Sequence, residues 1–543
     1  MIRSNSDVAD VVIVGAGSAG CVLAARLSDR TDLSVTILEA GGSDRSLWVH
    51  MPIGYGGAFY HPQLNWRYYT EPDPGLGGRR AYWPRGRVVG GSSSINAMVF
   101  VRGHAADYDS WAAAGCTGWA YADVLPAFRR LETWAGGESR WRGGSGPIHV
   151  RDMTRAAHPL SHAFVAAGAA QGHARNLDFN GADQEGVGIN QITVRDGRRS
   201  SAATGYLTPA LRRPNLRLLR DATATRILFE GRRAVGVEFL RGGRLGRVMA
   251  RREVILSAGA IGSPQLLQLS GVGDPDRLRP LGIGVVSAAP SVGRNLQDHV
   301  GYDLVFEATV PTLNATLGPL WARGRAGLTW LMTRDGPLSL SVNQAGGFVR
   351  GDTGRTRPNL QLYFSPLSYT RATPGRRRLT MPDAFPGFMI GVSNCHPKSR
   401  GWLHIRSADP QDRPELHAGY YSAPADMDEM LDAVPIMRAI AARPELSRYT
   451  RRELTPGRDM MDRGELETFI RETTTSVYHQ CGTCAMGADA ASGAVVDPRL
   501  RVHGLEGLRV ADASIMPLIP AGNLNAPCLM IGERAAEMVS ADL

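Results

Sequence analysis

The chain has 543 residues, 43% hydrophobic and 21% charged, with a formal net charge of +10 and six cysteines. That length exceeds one compact core and calls for two domains or one elaborated domain, and no apolar run approaches the ~20 residues needed to cross a bilayer. Lys398 is the single lysine among 61 basic residues and Arg376-Arg377-Arg378 is the densest basic run, so the charge reads as scattered, solvated arginine rather than a nucleic-acid surface.

The first forty residues read as a nucleotide-binding unit. Val11-Val12-Ile13-Val14 is a strand-like run, followed at once by Gly15-Ala16-Gly17-Ser18-Ala19-Gly20 and then by Cys21 to Leu27 with apolar residues at helical spacing. Val35-Thr36-Ile37-Leu38 is a second strand, ending at Glu39. Glycines in such a turn let the backbone approach a pyrophosphate, whose charge sits on the N–H groups opening the helix. Glu39, 19 residues after Gly20, is placed to accept hydrogen bonds from a ribose diol. A carboxylate there repels a 2′-phosphate, which favours FAD or NAD over NADP.

Met1 to Asp10 is too short and polar for a signal peptide, so a cytoplasmic location is expected. A loop-rich stretch, dense in Gly, Pro, Tyr and Trp, runs from Gly41 to Arg87, and long irregular segments of this kind usually wrap a ligand or cover a site. Asn215–Leu219, Ala224–Phe229 and Ala234–Phe239 predict a small β-meander. Glu253–Leu256 predicts a strand entering a second glycine turn at Ser257-Ala258-Gly259, with a helix starting at Ser263. From about 300 to 475, strand-like pieces such as Leu360–Phe364 alternate with turns, and a helix is predicted from Asp426 to Arg443. The tail holds one more strand, Leu508–Ala513, and a helix from about Pro527 to Val539. Cys481-Gly-Thr-Cys484 lacks both the further ligands of a zinc site and the context of a redox motif, so small buried residues in a turn are expected.

Four blocks, in order, resemble the glucose–methanol–choline (GMC) family of flavoprotein oxidoreductases over essentially the full length. They are Gly15–Glu39; Gly86–Asn96 continuing through Val101-Arg102-Gly103 to Asp107-Tyr108-Asp109; Ser257–Leu267 with Val292–His299; and Tyr478–Thr483 paired with Gly522-Asn523-Leu524-Asn525-Ala526-Pro527. The nearest likeness is to bacterial alcohol, choline and aryl-alcohol oxidases and dehydrogenases. The resemblance implies FAD. Gly15, Gly17 and Gly20, with Ser18 and Ala19 between them, would lie under the pyrophosphate, and Glu39 and Ala40 beside the adenosine ribose. Ala224 would face adenine. Trp66, Val89, Gly91, Asn96, Ala97, Met98 and Val99 join the cofactor residues, as do Ala258, Gly259, Asp512, Ala513 and Asn525. Some members carry, at the position of Ile95, a histidine that bonds covalently to the flavin. Isoleucine cannot do so, and non-covalent FAD is expected.

The implied fold class is α/β, α+β overall: a Rossmann-like FAD-binding domain (1–155, 200–300 and 478–543) with an inserted substrate domain (156–199 and 301–477) built on an antiparallel β-sheet with helices. The implied reaction is oxidation of a primary alcohol to an aldehyde, with hydride transfer to flavin N5. His479 is the expected base and Asn525 the expected donor to the developing alkoxide. His299, His396 and His503 are read as structural, with His299 serving the domain crossing. Oxygen or a quinone-type compound would reoxidise the flavin. Choline-oxidising relatives carry a carboxylate just after the Gln-Asp-His block, where this chain has Val300-Gly301, so an uncharged or apolar alcohol is expected rather than choline. A lyase or fatty-acid decarboxylase on the same scaffold is the alternative, and a binding protein of the GDP-dissociation-inhibitor type is the non-enzymatic one.

Overall fold

The computed structural model describes residues 7–351, 354–369 and 381–543; the Arg376–Arg378 run lies outside them. Val11 to Val14 are almost wholly buried, as parallel strands covered on both faces must be. They belong to the strand Asp7–Val14, which pairs in parallel with Val35–Leu38 on one side and with Arg244–Leu256 on the other. Leu508–Val510 joins the far end of Arg244–Leu256, also in parallel. The helix Ser18–Leu27 follows the first glycine turn and packs beside the C-terminal helix Asn525–Asp542. Arg26 clamps the two by donating through Nε and Nη2 to the buried Glu533 carboxylate.

The meander differs from the sequence expectation. Leu216–Leu219 lies outside it, forming the parallel outer strand beside Val35–Leu38. Asn215 holds it there by donating to the carbonyls of Ser28, Arg30 and Leu33. The meander is Ala222–Glu230, Arg233–Arg241 and the first part of Arg244–Leu256. That last strand was hidden because arginines at 244, 247, 251 and 252 interrupt its apolar pattern.

A second sheet runs in the order Thr450–Thr455, Val300–Ala308, Gly387–Asn394, Leu360–Ser365, Ala345–Val349, Gly186–Ile189, with every neighbour antiparallel. Alternation along its strands divides the residues between two faces. Tyr302 points to one, where its hydroxyl donates to the Met430 carbonyl of the helix Pro424–Ala442. Gly301, Asp303, Val305, Met389, Gly391 and Tyr363 line a cavity on the other. This sheet is the wall that faces the nucleotide fold.

At the start of the strand Glu132–Trp134, in a separate small sheet, Glu132 accepts from both Arg102 and Arg142, and all three side chains are at most 2% exposed. The cluster anchors the segment that leaves Asn96–Val99. Removing the carboxylate would take from the buried Arg102 its acidic partner, while Arg142 keeps Asp178, and breaking a buried pair in this way typically costs about 3–5 kcal/mol. Glu132→Ala should therefore lower the stability of the holoenzyme by that order in urea unfolding at fixed FAD. A loss under about 1 kcal/mol would show that water replaces the carboxylate.

Candidate active site

Glycine at two positions of the first turn is dictated by space. A Cβ on Gly20 would lie 1.9 Å from the Gly15 carbonyl oxygen, and one on Gly15 would lie 2.5 Å from that of Ser257. Gly91, at φ +53°, brings the Gly86–Asn96 block against the same turn, where a Cβ would meet the Gly17 Cα at 2.7 Å. No side chain caps the helix that begins at Ser18, so its first N–H groups are available to an anion. Ala258 abuts Gly15 yet is solvent-exposed, so it faces an open groove.

Glu39 is buried beside the groove, accepting from the Ala16 and Gly41 N–H groups at 3.0 and 2.8 Å, and burial lifts its pKa to about 7. The Ala222 N–H donates to the Glu39 carbonyl, bringing Ala224 alongside. Ala40 lies between Glu39 and Gly41, whose backbone is pressed on that of Arg87. The Arg87 guanidinium stacks 5.0 Å from the Trp66 ring, which packs on Tyr68 rather than lining the cavity. Asp512 accepts from Gly259 N–H at 2.8 Å and Ser263 Oγ at 2.5 Å, fastening the second glycine turn to the last strand. Val89 is buried behind Gly91, and its carbonyl accepts from Ser94 Oγ. These groups fit the phosphates and sugars of FAD.

Ser18, Ile95, Asn96, Ala97, Met98, Val99, Ala513 and Asn525 continue the groove into a cavity of about 1230 Å³ that is also lined by His479. Asn96 Oδ1 accepts from Arg199 Nη1 and from the Met98 N–H, which fixes the turn at Met98. The isoalloxazine end of FAD would lie here, where it supplies a hydride acceptor.

His479 is held from four directions. Its N–H donates to Asp298 Oδ1 at 2.8 Å, and Asp298 Oδ2 accepts from Ser476, Gln480 and Tyr420. The preceding residue, Tyr478, has φ +71° and receives a bond from Arg85 Nη2 at its carbonyl. The His479 ring meets His299, Nδ1 to Nδ1, at 2.9 Å, and Asn523 Nδ2 lies 3.2 Å from its Nε2.

These partners define the tautomers. The Cys395 carbonyl can only accept, so His299 Nε2, 2.9 Å away, carries a proton. Burial drives the His299 pKa down to about 4, leaving its Nδ1 a lone pair. The shared proton therefore sits on His479 Nδ1, and His479 Nε2 is a lone pair opening on the cavity. Burial, then His299 and Arg85, hold the His479 pKa well below the ordinary value.

The pairing expected of Asn525 falls to Asn523. Asn525 is the first residue of the C-terminal helix, and its Oδ1 accepts from Ser18 Oγ at 2.9 Å, on the cofactor side. Two residues apart at a loop-to-helix junction, the two carboxamides point to different sides. Gln361 Nε2 lies 3.5 Å from Asn523 Oδ1, which leaves Nδ2 for the histidine. His299, read from the sequence as structural, directly contacts the catalytic candidate. Asp298 carried no signal beyond lying in a matched block, and Arg85, one residue before the Gly86–Asn96 block, carried none. Cys481 and Cys484 are buried and free, as expected of small turn residues, and no metal-ligand cluster occurs among the described residues.

Models of the GMC oxidoreductase family match residues 9–301 and 397–532. A choline dehydrogenase of Mus musculus mitochondria is 44% identical over 97% of this chain and 89% of its own. An oxygen-dependent choline dehydrogenase from Sinorhizobium fredii is 43% identical over 98% of this chain and 95% of its own. Among solved structures, a pyridoxine 4-oxidase from Mesorbium loti superposes with a TM-score of 0.89 at 32% identity, covering 98% of this chain and 99% of that one. None of these relatives supports the lyase or binding-protein alternatives. The chain belongs to the GMC oxidoreductase family and is an FAD-dependent enzyme that oxidises an alcohol.

Proposed function

We propose that His479 Nε2 takes the hydroxyl proton of a primary alcohol while Asn523 Nδ2 donates to the same oxygen. The carrying observation is the fixed lone pair on His479 beside an amide donor at 3.2 Å. In the absence of substrate the two groups satisfy each other. A hydroxyl inserted between them donates to Nε2 and accepts from Nδ2, so the amide meets the alkoxide as it forms. FAD held along Ser18, Asn96 and Asn525 would supply the hydride acceptor, so that the alcohol leaves as an aldehyde. Asn525, through Ser18, belongs to the cofactor wall.

In this reading 1–155, 200–300 and 478–543 form the cofactor unit, and 156–199 and 301–477 the substrate unit. FAD is held non-covalently, since Ile95 packs with Val49, Ala58, Leu64 and Val88 and offers no nucleophile. Oxygen or a quinone-type compound is the acceptor. Six unpaired cysteines suit a reducing compartment, and we place the enzyme in the cytoplasm.

His479→Ala should keep its FAD while anaerobic flavin reduction slows by roughly 10²–10⁴-fold. Asn523→Ala should slow that step by about 10²-fold, with Asn525→Ala acting first on FAD affinity. Stopped-flow reduction and FAD titration separate these effects. Equal loss of reduction rate in the two asparagine variants, with FAD affinity intact, would contradict the division.

The substrate class follows from the cavity wall. Gly301 lines it without a carboxylate, and the acid on the same strand face is Asp303, about 7 Å along the strand from Gly301. Choline, whose ammonium lies two carbons from its hydroxyl, would meet no carboxylate at Gly301. Phe59, Tyr69, Tyr82, Val305 and Met389 instead suit an apolar body. Benzyl alcohol or hexanol should exceed choline in kcat/KM by at least about tenfold, and a preference for choline would reverse the assignment.

A further inference from the structure

The helix Leu320–Thr333 is mounted with its apolar face outward. Leu320, Trp321 and Met332 are 81%, 72% and 76% exposed, and Leu328 and Leu331 are more than half exposed. At about 100° per residue these five side chains share a sector of about 120°. The opposite sector is buried: Ala322, Ala326 and Trp330 pack inward, and Trp330 Nε1 donates to the Gly197 carbonyl at 2.8 Å. The helix is thus anchored by its back. A surface helix normally turns its apolar stripe to the core, and a contiguous apolar face left in water marks an interaction site.

Charge identifies the partner. Arg325 and Arg323 are exposed on either side of the apolar sector, about 20° and about 60° beyond its edges, and neither makes an ion pair among the described residues. No aspartate or glutamate occurs from 308 to 334. Long basic side chains flanking an apolar face place their charge at headgroup level while the face enters the acyl boundary. A second copy of this chain fits poorly. An isologous contact would set the same arginines against each other with no acid on the helix to meet them.

The helix also borders the cavity mouth. Leu317, Arg323 and Gly327 line the cavity together with Leu47 and Trp48, which are themselves exposed. We infer that this helix docks the enzyme peripherally on an anionic lipid bilayer, holding the cavity mouth against the membrane. An apolar alcohol or a lipid-dissolved quinone then reaches the site without crossing water. No helix among the described residues is long and apolar enough to span the membrane, so this attachment would lie in the interface plane.

The test floats the flavin-loaded enzyme with vesicles of phosphatidylcholine alone or mixed with phosphatidylglycerol, at low and high salt. The enzyme should float with the anionic vesicles, and salt should weaken the association. Trp321→Glu combined with Leu331→Glu should reduce the bound fraction at least about tenfold, with FAD content and dye-coupled turnover kept. Arg323→Gln combined with Arg325→Gln should weaken the anionic preference and its salt dependence. Three outcomes would overturn the inference: wild-type enzyme that floats with neither vesicle, flotation unchanged in the Trp321/Leu331 variant, or a dimer in light scattering that this variant dissociates without any vesicle binding. Because flotation reads the surface and not the chemistry, it is independent of the substrate assignment.

Discussion

Two loops distant in the chain, 476–480 and 517–523, meet across the side chains of Asn295, Gln297, Asp298 and His299. Asn295 and Gln297 both donate to the Pro517 carbonyl, and Gln297 Oε1 accepts from the Ile519 N–H. Asp298 gathers Ser476, His479 and Gln480, and His299 bonds the His479 ring. Backbone pairing of Gln297 with Cys481 locks the crossing, and Gly482 is required there because a Cβ would lie 2.5 Å from the Asn295 carbonyl oxygen. The distance between His479 and Asn523 is set by this segment. Asp107 secures the second loop from its far side by accepting from the Ala521 N–H at 2.7 Å.

Electrostatics and geometry act in the same direction. A base must be neutral when substrate arrives, and burial and the Arg85 cation both disfavour protonated His479. The Arg85 guanidinium that supplies this field also holds the strained Tyr478 in place. Binding and catalysis meet at Ser18 and Asn525, whose hydrogen bond joins the start of the nucleotide helix to the start of the C-terminal helix. The start of the groove and the wall of the cavity are thus joined through one packed helix pair.

The nucleotide unit was legible because its physics is local: a buried strand, a turn that only glycine can make and a carboxylate at the next strand's end lie within forty residues. His479 was legible through its block. Asn523 was not separable from Asn525, since the motif contains both and only the start of the helix decides which one faces the histidine. Leu216–Leu219 was assigned to the wrong neighbours because a short apolar strand carries no record of its partner. The first half of Arg244–Leu256 was missed behind its arginines. Asp298 and His299 act through loops nearly 200 residues away, which no local pattern records.

The central claim is that the Cys395 carbonyl, through His299, keeps a neutral lone pair on His479 Nε2. The pH dependence of anaerobic flavin reduction, compared between the wild type and His299→Ala, tests it most directly. A histidine with a lowered pKa stays a base as pH falls through 6.5, so the wild-type rate should hold level there and drop only at more acidic pH. Without His299 the acid limb should move up toward 6.5, and the level rate should fall by about 10–10²-fold as the tautomer is no longer fixed. A wild-type acid limb at 6.5 or above, or a His299→Ala profile that matches the wild type, would contradict the account.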